Sequence, residues 1–133
     1  ELPVKYAPHE SSASARLESF EPLCPLEPTM LHALFITHGP ETCPAAHAET
    51  RHLAIDGLDR LDNEGRKLGV SMVGGWADMP GHSLYMIVDA PNAHVISELA
   101  MILGFGRWGT VSVTALVELE TLHSALRQMA ASG

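Results

Sequence analysis

Residues 70–92 read VSMVGGWADMPGHSLYMIVDAPN, and this stretch decides the fold. Val70 to Ala77 and His82 to Asp89 are apolar runs of strand length, and Met79-Pro80-Gly81 between them is a turn. Ala90-Pro91-Asn92 ends the second run, and Pro91 suits the first turn of a helix that follows. The stretch therefore predicts two neighbouring strands joined by a tight turn, with a helix after them.

A strand and a helix precede this hairpin, and a helix and a strand follow it. Met30 to His38 is apolar on both faces, which predicts a buried strand. Residues 45–68 are predicted to be a helix, because apolar residues repeat there at helical spacing: Ala54, Leu58, Leu61 and Leu68. After the hairpin we predict a helix to about Leu103, a strand from Thr110 to Leu119 and a terminal helix from about Glu120.

The order of these elements predicts an α+β fold of the ferredoxin-like βαββαβ type with an extra C-terminal helix. Its sheet has four antiparallel strands and is covered by helices on one face only. A small protein must cover an apolar face that its own helices leave open. We therefore expect a homodimer in which two sheets pack against each other.

The second half of the chain resembles the GYD-domain family, a branch of the dimeric α/β-barrel superfamily. The resemblance is carried by the run from Leu84 to Pro91, by a helix with Ala100, Leu103 and Gly104, and by Gly109-Thr110-Val111. It covers roughly residues 70–120, and neither the loop from His38 to His47 nor residues 1–29 has a counterpart in it. The superfamily includes monooxygenases, isomerases, decarboxylases, haem enzymes and ligand-binding proteins, so the resemblance implies a fold rather than a reaction.

Composition limits the classes of partner. The chain of 133 residues is predicted to hold one domain, residues 30–133, preceded by a proline-rich extended arm at residues 1–29. The formal net charge of −8 argues against binding to nucleic acid or to an anionic membrane surface. No apolar run is long enough to cross a bilayer. We expect a soluble cytoplasmic protein, whose two cysteines, Cys24 and Cys43, leave one disulfide open as an alternative.

In the predicted topology, several chemically capable side chains meet at one end of the sheet. The thiol and imidazoles there are suitable ligands for zinc, copper or iron. Haem is a further alternative as cofactor, because any of several histidines could be its axial ligand. The spacing His-x4-Cys-x3-His in the loop is not a standard zinc signature. We predict a metal-binding protein, either a metalloenzyme or a metal sensor or carrier, with four ligands: His38, Cys43, His47 and His82.

Two other functions are consistent with the same residues. Asp78 and His82 flank the turn and form a candidate acid–base pair. Such a pair would serve a cofactor-free monooxygenase, isomerase or lyase acting on a small apolar substrate, in a pocket formed by Trp76, Tyr85 and Trp108. The third function is a non-catalytic ligand-binding or assembly module whose N-terminal arm mediates association. Each residue also has a structural alternative, with Cys43 as a small buried hydrophobe and Asp78 as the cap of its turn.

Overall fold

The computed structural model describes residues 27–133. The predicted arm lies outside this range except for residues 27–29, as does Cys24. The described residues form four strands and three helices, in the order β1 (Met30–Thr37), α1 (Ala48–Lys67), β2 (Ser71–Asp78), β3 (Ser83–Ala90), α2 (Ala93–Ile102), β4 (Thr110–Ala115) and α3 (Leu119–Ser132). Single 3-10 turns cover Pro40–Thr42 and Phe105–Arg107.

The strands form one sheet in the order β2-β3-β1-β4, and each neighbouring pair is antiparallel. Ile36 of the central strand β1 lies opposite Leu84 of β3 on one side and Val111 of β4 on the other. This confirms the predicted α+β fold, compatible with the ferredoxin-like arrangement and extended by a C-terminal helix. No helix within residues 27–133 is long and apolar enough to span a membrane.

The core lies between the sheet and the two helices α1 and α2. Its largest fully buried apolar side chains come from both layers and from the 3-10 turn before β4: Leu34, Ile36, Ile96, Leu99, Leu103 and Phe105. Gly57 lets α1 approach this turn closely, since a Cβ atom there would lie 2.7 Å from the carbonyl oxygen of Leu103.

The buried stripe of α1 differs from the prediction in one respect. It comprises Thr50, Ala54, Gly57, Leu61 and Gly65. Leu58 was predicted to be buried but is 44% exposed. The physical reason is that two glycines bring the helix backbone itself against the core, which turns Leu58 to the edge of the contact.

Most boundaries differ from the prediction by a single residue, but two differ by more. Helix α1 begins at Ala48 rather than residue 45, because the carbonyl of Cys43 accepts hydrogen bonds from the N–H groups of Ala46 and His47 and forms a turn instead. Strand β4 ends at Ala115 rather than Leu119. Its register with β1, which begins at Met30, leaves Glu118 and Leu119 with no strand residue opposite them, and the last bond between the two segments runs from Leu116 N–H to the Leu31 carbonyl.

Candidate metal centre

The end of the sheet at which β1 finishes and β3 begins holds the candidate site. His38 follows β1 directly, and His82 precedes β3. The backbone N–H of His38 donates to the carbonyl oxygen of His82 at 3.1 Å, which continues the β1–β3 ladder by one step. The antiparallel pairing therefore brings together two residues that are distant in sequence.

Three of the predicted ligands form a compact group. One ligand atom each from His38, Cys43 and His82 lies within 4.8 Å of the other two. Nε2 of His38 is 3.3 Å from Nδ1 of His82. Zinc–nitrogen bonds of 2.0–2.1 Å in a tetrahedron place two imidazole nitrogens about 3.3 Å apart. The imidazole spacing is compatible with two ligands on one metal ion, and equally with an N–H···N hydrogen bond between the rings.

The backbone of His82 has an uncommon conformation. Its φ angle of 54° lies in the left-handed region, and no other non-glycine residue within 27–133 has a positive φ. This conformation costs free energy for any residue with a Cβ atom, and residues in it concentrate at functional sites. Here it closes the turn between β2 and β3 and places the imidazole edge-on to that of His38, with ring centroids 5.1 Å apart.

The loop that carries Cys43 is held from α1. The guanidinium of Arg51 donates to the carbonyl oxygens of Pro44 and Ala45, each at 2.9 Å. The turn closed by the Cys43 carbonyl adds backbone hydrogen bonds to the same segment. Cys43 itself is buried, with 9% of its surface exposed. Arg51 therefore fixes the position of the thiol, a role that sequence reasoning missed because an exposed arginine near a helix start has no distinctive pattern.

The structure does not bring His47 into the ligand group. His47 is exposed at the N-terminus of α1, and its Nε2 lies 2.9 Å from the carbonyl oxygen of Pro40. The buried stripe of α1 begins at Thr50, so His47 lies outside it. This contact links the two ends of the loop, so His47 contributes to the shape of the loop rather than to the group of ligand atoms.

Asp78 and His82 do not form a hydrogen bond in the described part of the chain. The Asp78 carboxylate instead accepts a hydrogen bond from the N–H of Gly81 at 3.0 Å, which caps the turn. Nδ1 of His82 faces His38. The predicted aspartate–histidine contact is therefore replaced by a contact between two imidazoles.

Of the three aromatic residues predicted to line a pocket, only Trp108 lies at the site. Trp76 and Tyr85 are opposite each other across β2 and β3, and they are 62% and 45% exposed. Their neighbours Ala77 and Leu84 form the adjacent pair and line the cavity at the site. Because side chains alternate along a strand, Trp76 and Tyr85 project from the opposite face of the sheet.

A cavity of about 180 Å³ adjoins the three candidate ligands. Its lining combines His38, Cys43 and His82 with apolar side chains and with Trp108, which is only 2% exposed. Nδ1 of His38 and Nε1 of Trp108 are both buried, and neither has a hydrogen-bond partner among the described residues. Buried polar atoms are nearly always paired, so these two atoms are available to a partner from outside residues 27–133.

Burial lowers the pKa of His38 below its ordinary value of 6.5, and the nearby charge of His82 lowers it further. Both effects disfavour the imidazolium ion. The neutral imidazole that these effects favour is the form in which a histidine binds a metal.

No family model and no curated protein sequence matches the chain.

Proposed function

We propose that the protein binds a transition-metal ion through His38, Cys43 and His82. The observation that carries this proposal is the convergence of three ligand atoms of suitable chemistry within 4.8 Å. A thiolate and two imidazoles form a borderline-soft donor set, which suits zinc, copper or iron. The 3.3 Å spacing of the two imidazole nitrogens supports the same conclusion.

The number of ligands favours a site with an exchangeable position. Structural zinc sites have four protein ligands, whereas sites that act on or sense a small molecule have three and leave one position open. His47 does not complete the set, because it faces Pro40. An open position beside a cavity supports a metalloenzyme or a metal-dependent sensor over a purely structural metal site.

Metal titration of the reduced, tag-free chain tests the proposal. We expect binding of about one zinc ion per chain, and loss of that binding in Cys43→Ser and in His82→Asn. His52→Asn is the matched control, since His52 lies exposed on the outer side of α1. Zinc binding that survives in the double variant Cys43→Ser/His82→Asn would overturn the ligand assignment.

A cofactor-free enzyme is the second candidate, and one observation favours it. The His38–His82 pair adjoins an apolar cavity, and the lowered pKa of His38 keeps that imidazole available as a base. Cys43→Ser separates the two candidates, because it removes a metal ligand but leaves both imidazoles in place. Under this second function, turnover of a small apolar substrate persists in Cys43→Ser and is lost in His38→Asn.

We also propose that the chain forms a homodimer through the open face of its sheet, as its resemblance to the GYD-domain family implies. The support is an aromatic cluster on that face. The rings of Phe35 and Tyr85 are 4.7 Å apart, and the exposed Trp76 lies opposite Tyr85. A second copy of the same face offers an apolar surface of the same character.

Sedimentation of Trp76→Glu should show a monomer, while Met101→Glu, on the exposed side of α2, should sediment like the native chain.

A further inference from the structure

The cavity at the candidate metal centre is lined by a side chain that carries an unpaired donor. Trp108 is almost wholly buried, and its Nε1–H group has no hydrogen-bond partner within residues 27–133. Its indole packs against the imidazole of His38, with ring centroids 5.7 Å apart. A buried donor without an acceptor is unfavourable by the full cost of its desolvation. The arrangement therefore leaves this donor available to an acceptor atom that residues 27–133 do not supply.

The charge of the candidate site points to the same kind of ligand. A divalent cation held by one thiolate and two neutral imidazoles keeps a residual positive charge. Asp78 carries the only carboxylate that lines the cavity within the described residues, and it accepts the Gly81 N–H of its own turn. Asp78 is not among the grouped ligand atoms, so the open position on the positively charged cation is left to a ligand from outside, for which an anion is suited.

The size and lining of the cavity limit what that anion can be. A volume of about 180 Å³ holds about six non-hydrogen atoms, at roughly 30 Å³ for each water-sized group. Apart from the candidate ligands and Asp78, its walls are mainly apolar, with Ala54, Leu58 and Leu84 among them. A small molecule that fits this space has an apolar body and one charged end.

We propose that this cavity binds a small monocarboxylate with a short apolar body. Its carboxylate occupies the open metal position and accepts the Nε1–H of Trp108, and its apolar part packs against Leu58 and Leu84. This inference rests on the proposed metal site and names the class of ligand which that site takes.

The experiment uses the full chain loaded with Co²⁺, whose visible absorption reports changes in coordination. Isobutyrate has six non-hydrogen atoms, and isobutyramide has the same shape without the charge. We expect isobutyrate to change the cobalt absorption in a saturable manner and isobutyramide to leave it unchanged. Equal binding of the two compounds, or no response to isobutyrate, would overturn the inference.

Two variants test the contacts. Trp108→Phe keeps an aromatic ring but removes the donor, and should weaken isobutyrate binding about tenfold. Ala77→Leu narrows the cavity from an exposed position on β2, and should weaken isobutyrate binding while sparing formate. Unchanged isobutyrate affinity in Ala77→Leu would contradict the placement, even if Trp108→Phe does not fold.

The failure of this inference is distinct from the failure of the metal proposal. A thiolate-to-cobalt charge-transfer band that is absent in Cys43→Ser shows that the metal site exists. If that band never appears, the metal proposal fails and the carboxylate site fails with it. If the band appears but isobutyrate leaves the spectrum unchanged, only the carboxylate inference is overturned.

Discussion

Nε2 of His38 and Nδ1 of His82 face each other at 3.3 Å. Two neutral imidazole nitrogens that both present lone pairs repel each other, so this contact requires either a shared proton or a shared cation. The buried thiol of Cys43 lies in the same group. The proposed cation, held by all three residues, would account for this contact.

The pH dependence of the metal-free protein follows from His38. Burial and the charge of His82 hold its pKa below 6.5 in the folded state, whereas the unfolded chain keeps the ordinary value. The unfolded state therefore binds more protons, and the free energy of unfolding falls as the pH drops from 6.5 through the folded pKa. An NMR titration should place the His38 midpoint below 6.5 and nearer to it in His82→Asn; a midpoint above 6.5 would contradict this account.

Arg51→Lys should weaken metal binding without unfolding the protein. The guanidinium bonds to two carbonyl oxygens of the Cys43 loop, and an ammonium group does not reproduce that paired geometry. We expect about a tenfold loss of zinc affinity, typical of residues that orient ligands. Arg66→Lys, exposed at the other end of α1, is the control. Equal zinc affinities of the two variants would show that Arg51 does not position the Cys43 loop for metal binding.

The cost of the left-handed backbone at His82 can be measured from the free energy of unfolding of two variants. His82→Ala keeps the positive φ and loses the ring, whereas His82→Gly loses both the ring and the strain. His82→Gly should therefore be the more stable of the two by about 0.5–1 kcal/mol in urea unfolding. The same pair of substitutions at His52, inside α1, should give the opposite order, because glycine is the poorer helix former.

Gly57 should tolerate no side chain. A Cβ atom there would meet the Leu103 carbonyl at 2.7 Å and the Phe105 ring at 2.8 Å. Gly57→Ala should thus lower the free energy of unfolding by about 1–3 kcal/mol, although alanine is the better helix former. Gly106→Ala is the control, because a Cβ there has no atom within 4 Å. A Gly57→Ala variant as stable as the native chain would show that α1 can move away from the turn.

Hydrophobic periodicity and turn residues were enough to predict the fold. The apolar runs around Met79-Pro80-Gly81 and the stripe after residue 45 specify which elements form, and the topology then places His38 and His82 at the same end. That step needed no side-chain detail, since antiparallel pairing alone brings the end of β1 to the start of β3.

The parts that failed depend on side-chain direction. The pairing of β2 with β3 shifts register between Met72 and Gly74, and such a shift changes which face each later residue of β2 occupies. The sequence does not reveal which face of the sheet the Trp76 side chain occupies. The direction of His47 likewise depends on where α1 begins, and helix ends are the least predictable feature of a pattern.

The central claim is most directly tested by elemental analysis of the reduced, tag-free chain after exposure to zinc, copper and iron. We predict about one metal ion per chain in the native protein and none in Cys43→Ser/His82→Asn. His52→Asn should retain the native metal content. A native chain that stays free of metal, or a double variant that keeps the native content, would contradict the assignment of His38, Cys43 and His82 as a metal centre.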